Sequence, residues 1–201
     1  MLHFFDFLFP PRVDEITLRD ISLDEFLILM VQRVVSVTRP ETVILLPFNK
    51  GPVRAAIHEA KYHGSEQAFI FLGAALTEYL RDADDIRKPL IVPVPLGKER
   101  QKERGFNQVE EIVKCAAEEL NVTVDTALLE RTRETASQVS LPRGAREENM
   151  RGAFRATRSA DPAYTYIVID DVLTTGATLQ AAVDALKDAG AEHIIPLALA
   201  H

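Results

Sequence analysis

The chain contains no tryptophan and a single cysteine, Cys115, in 201 residues. One cysteine excludes an internal disulfide and any cysteine-rich zinc site. Cys115 falls within a helical pattern, where a packed small residue is the expected role rather than a nucleophile. This thiol usage fits a reducing, cytoplasmic setting. A positive balance is also missing: Lys+Arg is 23 against Asp+Glu 30, a formal charge of −7. That excludes a global basic field for nucleic acid, although not a local basic patch. Long hydrophobic runs are absent too. Residues 1–9 are apolar, but Asp6 interrupts them, Pro10 and Pro11 stop them, and no basic lead-in precedes them. Neither a secretory signal nor a membrane span is expected there, but packing against the body of the protein or a second subunit. No repeat or low-complexity tract occurs. The remaining composition, 47% hydrophobic and 26% charged, is that of a globular protein with one domain or one plus an appendage.

The most informative segment present is Tyr166 to Thr178. Tyr166, Ile167, Val168 and Ile169 read as a buried strand. The strand ends in two acids, Asp170 and Asp171, and a hydroxyl-rich loop follows, with Thr174, Thr175, Gly176, Ala177 and Thr178 leading into a helix. Backbone N–H groups and the dipole at a helix N-terminus favour an anion. Gly176 lets the backbone come close to a ligand, and the two carboxylates can accept hydrogen bonds from a sugar diol. Phosphate donors beside diol acceptors describe a site for a ribose 5-phosphate. The alternative is a solvated acid pair followed by an ordinary helix cap.

Elsewhere, Ser22 and Glu25 have capping-box spacing, and the apolar period predicts a helix over 23–37. A short strand is expected over 42–48. A helix is expected to start near Pro52 and end at Gly64, and another over 66–81 capped by Ser65. The stretch 88–96 reads as a strand with prolines at its ends. A helix over 107–120, a strand within 121–130 and a long arginine-rich loop over 131–158 come next. After the acid pair and loop, a helix to about residue 189 leads to a last strand, 193–199, which Pro196 places at a sheet edge. This alternation predicts an α/β fold with a parallel sheet flanked by helices, ligands binding at the strands' carboxyl ends.

The run from Tyr166 to Thr178 resembles the phosphoribosyl pyrophosphate (PRPP) loop of type I phosphoribosyltransferases. Three further segments sharpen the likeness: Gly51 to Arg54 with Lys61-Tyr-His-Gly64; Pro93 to Leu96 with Arg100 and Arg104 to Gln108; and Arg131, Arg133, Thr135, Gln138, Leu141, Arg146, Asn149 and Gly152 to Phe154. Together they resemble the ComF/GntX family of competence-associated, phosphoribosyltransferase-like proteins over about residues 47–201. The resemblance implies a type I phosphoribosyltransferase-like sheet with a mostly helical N-terminal hood. It divides the chain into a segment 1–46 and a domain 47–201 with an α/β core over about 89–201. Many such proteins begin with a cysteine-rich zinc module; here no cysteine precedes Cys115, so no zinc is expected and residues 1–46 stand in that module's place.

What the resemblance implies chemically follows residue by residue. PRPP would be held by Asp170, Asp171, Thr174, Thr175, Gly176, Ala177 and Thr178, with Mg²⁺ carried on PRPP and reached by Asp170 and Asp171 through water. Arg100 and Arg104, in the connection after the 88–96 strand, would bind the pyrophosphate, since guanidinium groups pair bidentately with such oxygens. Asp170, Asp171 and Arg104 are the candidate catalytic residues. The simpler reading of Arg100 and Arg104 is a solvated charged turn among Glu99 and Glu103. The 131–158 stretch corresponds to a mobile catalytic loop, or else is a solvated loop or nucleic-acid contact. Lys61 suits a helix end by charge alone; His58 and His63 lack metal-ligand spacing; Asn107 is a cap. Thr174 stands where purine-salvage enzymes carry an acid, which makes purine chemistry the less expected.

The function implied is transfer of phosphoribose from PRPP to an acceptor that the sequence leaves open. A PRPP-responsive regulator or adaptor in DNA uptake, with a protein partner and no turnover, is the alternative. No membrane partner is expected, and a homodimer is left open.

Overall fold

The computed structural model describes residues 11–83, 86–133 and 150–201. The chain opens with two short helices, α1 (Val13–Arg19) and α2 (Leu23–Leu27). Strands β1 (Arg33–Val35) and β2 (Thr42–Leu46) precede two longer helices, α3 (Gly51–His63) and α4 (Glu66–Asp82). Then come β3 (Pro89–Pro93), α5 (Lys98–Arg104), α6 (Gln108–Leu120) and the short β4 (Thr123–Val124). β5 (Leu129–Arg131) and β6 (Phe154–Ala156) form a separate antiparallel ribbon. β7 (Thr165–Val172), α7 (Ala177–Asp188) and β8 (His193–Ala200) complete the described fold.

The main sheet has the order β1-β2-β8-β7-β3-β4. From β2 to β4 neighbouring strands run parallel; β1 joins antiparallel at one edge. The centre of β7, Tyr166 to Ile169, is apolar on both faces because both are covered. Ile167 and Ile169 pack with Phe26, Leu72, Leu76 and Ile112 beneath α3, α4 and α6. Tyr166 and Val168 face the other way, against Leu179, Val183 and Leu186 of α7. Each such buried side chain contributes about 1.5–3 kcal/mol. With its centre fixed between two layers, β7 delivers its last residues, Asp170 and Asp171, to the carboxyl end of the sheet. Among the described residues no helix is long and apolar enough to cross a membrane.

Two sequence expectations need correction. The helix expected over 23–37 ends at Leu27. The Ser22–Glu25 capping box forms, but Val31 donates its N–H to Leu45 O, and β-branched Val34 and Val35 fit the pleated edge strand better. The last strand, expected at an edge, lies inside the sheet between β2 and β7. Pro196 is tolerated because the β2 ladder begins one residue later, at Val43↔Leu197. The region 121–130 gives two short strands, β4 in the sheet and β5 in the ribbon. β2, N-terminal to the 46/47 boundary drawn from sequence, is an interior strand of the main sheet. Residues 1–9 lie outside the described residues, as does most of the arginine-rich loop.

Candidate functional site

A cleft of about 320 Å³ lies where β3 and β7 end. Lys61, Arg100, Arg104, Gln108, Arg131, Asp170, Asp171, Thr174, Gly176 and Thr178 are among its lining residues. Candidate residues from distant parts of the chain are thus brought together. Thr175 and Ala177 instead line a groove on the other side of the loop, beside Val37 and Gln180. Thr175 Oγ1 accepts weakly from Ala177 N–H at 3.4 Å, so it serves the helix start.

One wall is the loop itself. Gly176 has φ +82°, and a Cβ there would meet Val37 Cγ2 at 3.0 Å and Val37 O at 3.1 Å. Both the backbone conformation and the close approach require glycine. The segment after β1 therefore braces the loop from behind, and Arg39 N–H donates to Gln180 Oε1 at 2.7 Å. α7 follows at once, so the N–H groups of its first turn point at the cleft end of the helix.

The other wall is assembled from α3, α5 and α6. Residues 98–104, expected as an irregular connection, form the seven-residue helix α5 between Gly97 and Gly105. Arg100 and Arg104 are one turn apart on it and share a face. Arg104 donates to Gln108 Oε1 at 2.8 Å and stacks 5.2 Å over the Tyr62 ring. Asn107 caps α6 by accepting from Val109 N–H at 3.1 Å, and donates to Val94 O at 3.1 Å. Phe106 packs over Gly64, where a Cβ would lie 3.4 Å from the ring. The segments Lys61 to Gly64 and Arg104 to Gln108, which sequence places far apart, thus interlock.

The two acids differ in their surroundings. Asp171 is buried; its Oδ1 accepts from Lys61 Nζ at 2.9 Å and its Oδ2 from the Gln108 amide. Asp170 accepts the Asp171 N–H at 2.9 Å. Although part of its surface faces the cleft, removal from water, and next the Asp171 carboxylate, push the Asp170 carboxyl up to about 7. Lys61 opposes that rise.

The sequence that carries this strand, acid pair, loop and helix is similar to that of known proteins. Residues 112–201 match the phosphoribosyl transferase domain family. The DNA utilization protein YhgH of Escherichia coli K12 is 33% identical over 132 residues, 64% of this chain and 58% of that protein. Competence protein F of Haemophilus influenzae is 32% identical over 106 residues, covering 52% and 46% of the two chains. Competence protein ComFC of Bacillus subtilis is 33% identical over 101 residues, covering 50% and 39%. The chain is thus similar to competence and DNA utilization proteins and, over residues 112–201, to the phosphoribosyl transferase domain family. It spans no more than 58% of the length of these curated relatives. Among solved structures, the adenine phosphoribosyltransferase of Leishmania tarentolae is similar at a TM-score of 0.38 and 16% identity, over 68% of this chain and 72% of that one. At that distance the likeness carries no weight beside the topology.

In this cleft, the sequence pattern left the roles of Gln108, Tyr62 and Arg131 unassigned and understated Lys61. Their signal was present only as motif membership; nothing local says that Gln108 meets Asp171, 63 residues on. Arg131 lines the cleft and lies 5.6 Å over the Phe154 ring. Arg133 donates to Arg151 O at 2.7 Å, tying the two ends of the arginine-rich loop; Arg143 and Arg146 lie outside the described residues. His58 and His63, set aside on spacing, gather with Glu59 so that ligand atoms lie within 4.8 Å of one another. Two of those groups already have protein partners: Glu59 takes a bidentate bond from Arg12, at 2.9 and 2.7 Å, and His58 meets Asp14 at 2.9 Å. The Arg12 hydrogen bonds hold the Glu59 carboxyl below its usual range. Cys115 is half-buried on α6, and burial raises its thiol, which fits packing rather than nucleophilic chemistry.

Proposed function

We propose that this cleft binds PRPP and that the chain transfers its phosphoribosyl group to an acceptor with release of pyrophosphate. The observation that carries the reading is the convergence on one cleft of the acid pair, the glycine-turned loop at the start of α7, and the α5 arginines. In this reading the 5-phosphate sits on the N–H groups and hydroxyls of residues 174–178. The ribose diol is held by the acid pair. Arg100 and Arg104 take the pyrophosphate oxygens, and Arg104 is held for this by Gln108 and Tyr62. The residues present suit Mg²⁺ in a particular way. Both oxygens of Asp171 already accept hydrogen bonds, so an ion would be held mainly by the ligand's oxygens and water, with Asp170 the carboxylate left to reach it. When bound, it supplies charge neutralisation for the departing pyrophosphate. The arginine wall adds fixed positive charge where negative charge develops.

The test is thermal unfolding with Mg²⁺, with and without PRPP, and with ribose 5-phosphate as the control. A site filled at about 100 times its dissociation constant adds roughly 2.7 kcal/mol, a shift of several degrees. Asp171→Asn abolishes that shift if the reading holds. A folded wild-type protein indifferent to PRPP at millimolar concentration refutes it.

A second reading is favoured by the relatives, whose names point to competence and DNA utilization. Here PRPP occupancy regulates a partner in DNA uptake, without turnover. Pyrophosphate release with nucleobases, ammonia or small amines as acceptors supports the enzyme. Intact PRPP binding without release across that set supports the regulator.

A further inference from the structure

Both carboxylate oxygens of Asp171 are engaged in the cleft. Lys61 and Gln108 each occupy one of its oxygens, from different helices. Its side chain is 8% exposed and that of Lys61 21%. The position of Lys61 near the end of α3 explains a cation there, but not why the side chain crosses to β7. Nor is the pair a sealed structural one, because both residues line the cleft that Arg100 and Arg104 also face.

The cations of this cleft differ in how freely they can move. Arg104 is fixed by Gln108 on one side and by the Tyr62 ring on the other. Lys61 ends in a compact ammonium on a flexible four-carbon stem, able to redirect its donors without disturbing its helix. A ligand with both a diol and a diphosphate needs two things at once. The diol needs carboxylate acceptors, and the diphosphate needs cations. In the ligand-free protein Lys61 and Asp171 satisfy each other.

We infer that Lys61 is an exchangeable counter-ion: it pairs with Asp171 in the ligand-free protein, then yields that carboxylate to the sugar diol and takes an oxygen of the diphosphate. The inference rests on the PRPP reading of the cleft and goes beyond it by naming what discriminates the ligand. A sugar monophosphate breaks the Lys61–Asp171 pair and gives Lys61 nothing in return. A sugar diphosphate replaces the contact it breaks. Selectivity is a difference between affinities, and the broken pair is the element working against the wrong ligand. Lys61 thereby makes the diphosphate a condition for tight sugar binding.

The experiment is isothermal titration of wild type, Lys61→Met and Lys61→Arg with PRPP and, separately, with ribose 5-phosphate, Mg²⁺ present throughout. Lys61→Met is expected to weaken PRPP roughly tenfold to a hundredfold, the range for a lost charge-assisted contact. The same variant is expected to bind ribose 5-phosphate as well as wild type or several-fold better. Lys61→Arg keeps the charge and most of the preference for PRPP. Equal weakening of both ligands in Lys61→Met overturns the inference, since a merely structural lysine acts that way; so does no change in either. Should Lys61→Met fail to fold, Lys61→Gln keeps a donor for Asp171 without the charge and carries the same comparison. Wild type that binds neither ligand defeats the PRPP reading itself, and the exchange falls with it. Wild type that binds PRPP while the variants miss the opposed pattern defeats the exchange alone.

Discussion

One wall of the cleft comes from a single run, Tyr166 to Thr178, whereas the other draws Lys61, Arg100, Arg104 and Gln108 from three helices. The first wall depends on backbone: a strand end, a left-handed glycine and the start of a helix. Its strand is buried on both faces and hydrogen-bonded on both sides, to β3 and β8. The second wall depends on side chains whose positions follow from how α3, α5 and α6 pack. Asp171 joins the two, accepting from both Lys61 and Gln108. In the proposed function, the local wall offers a generic anion and diol site, and the assembled wall decides which anion completes it.

The sharpest way to break the local wall is Gly176→Val. A β-branched residue at φ +82°, facing Val37 at 3.0 Å, is strained and overpacked together. A loss of about 4 kcal/mol is expected, with no PRPP-dependent melting shift in whatever protein folds. Wild-type stability in denaturant would contradict the brace from Val37.

The assembled wall is broken from its root by Arg12→Ala. Arg12 anchors α3 through Glu59, whose side chain is 1% exposed, and removal leaves that carboxylate buried alone. A cost of about 3 kcal/mol is expected, below the upper range for buried pairs because Arg12 itself is half exposed. Glu59→Gln in the Arg12→Ala background should recover much of it; failure to recover would mean Arg12 acts by packing instead.

The joint between the walls is sharpened by pH. The folded Asp170 carboxyl sits at about 7 against an ordinary 3.8, so the folded chain holds this proton more tightly than the unfolded chain. Its contribution therefore lowers the stability of the unliganded protein as pH rises from about 4 through about 7, then levels off, by linkage. Asp170→Asn removes that fall and is expected to be more stable than wild type near pH 8 by roughly 2 kcal/mol, while losing PRPP binding. Urea unfolding of both proteins at pH 5 and pH 8 decides it, and parallel behaviour of the two would exclude a raised Asp170.

The smallest effect is expected from Asn107→Ala, which removes the α6 cap beside Gln108. About 1 kcal/mol of stability and a few-fold in PRPP affinity are expected to go, read by melting and titration. An affinity loss without any stability loss would point to direct contact by Asn107 rather than capping.

Much of the local wall was legible in the sequence. The apolar run at Tyr166 to Ile169 required burial on two faces, and Gly176 marked the turn. The caps at Ser22, Ser65 and Asn107 form where their spacing placed them. Errors arose where neighbours in space decide. Residues 28–37 carry an apolar period compatible with a helix, yet an available edge beside β2 makes them partly strand. Pro196 suggested an edge, but a proline is accommodated wherever its missing donor faces no partner, and the ladder register sets that. The Arg12–Glu59 pair and the gathering of His58, Glu59 and His63 had no signal in spacing.

By itself the sequence determined the α/β alternation, the buried central strand and a glycine-turned loop that follows two acids at the strand's end. These depend on hydrogen bonding and periodicity within a few residues. Only the tertiary structure decided that β8 lies inside the sheet, that α5 aims two arginines into the cleft, and that Lys61 and Gln108 engage Asp171. Those contacts join segments tens of residues apart, and their partners are chosen by the packing of helices on the sheet, which no local pattern encodes.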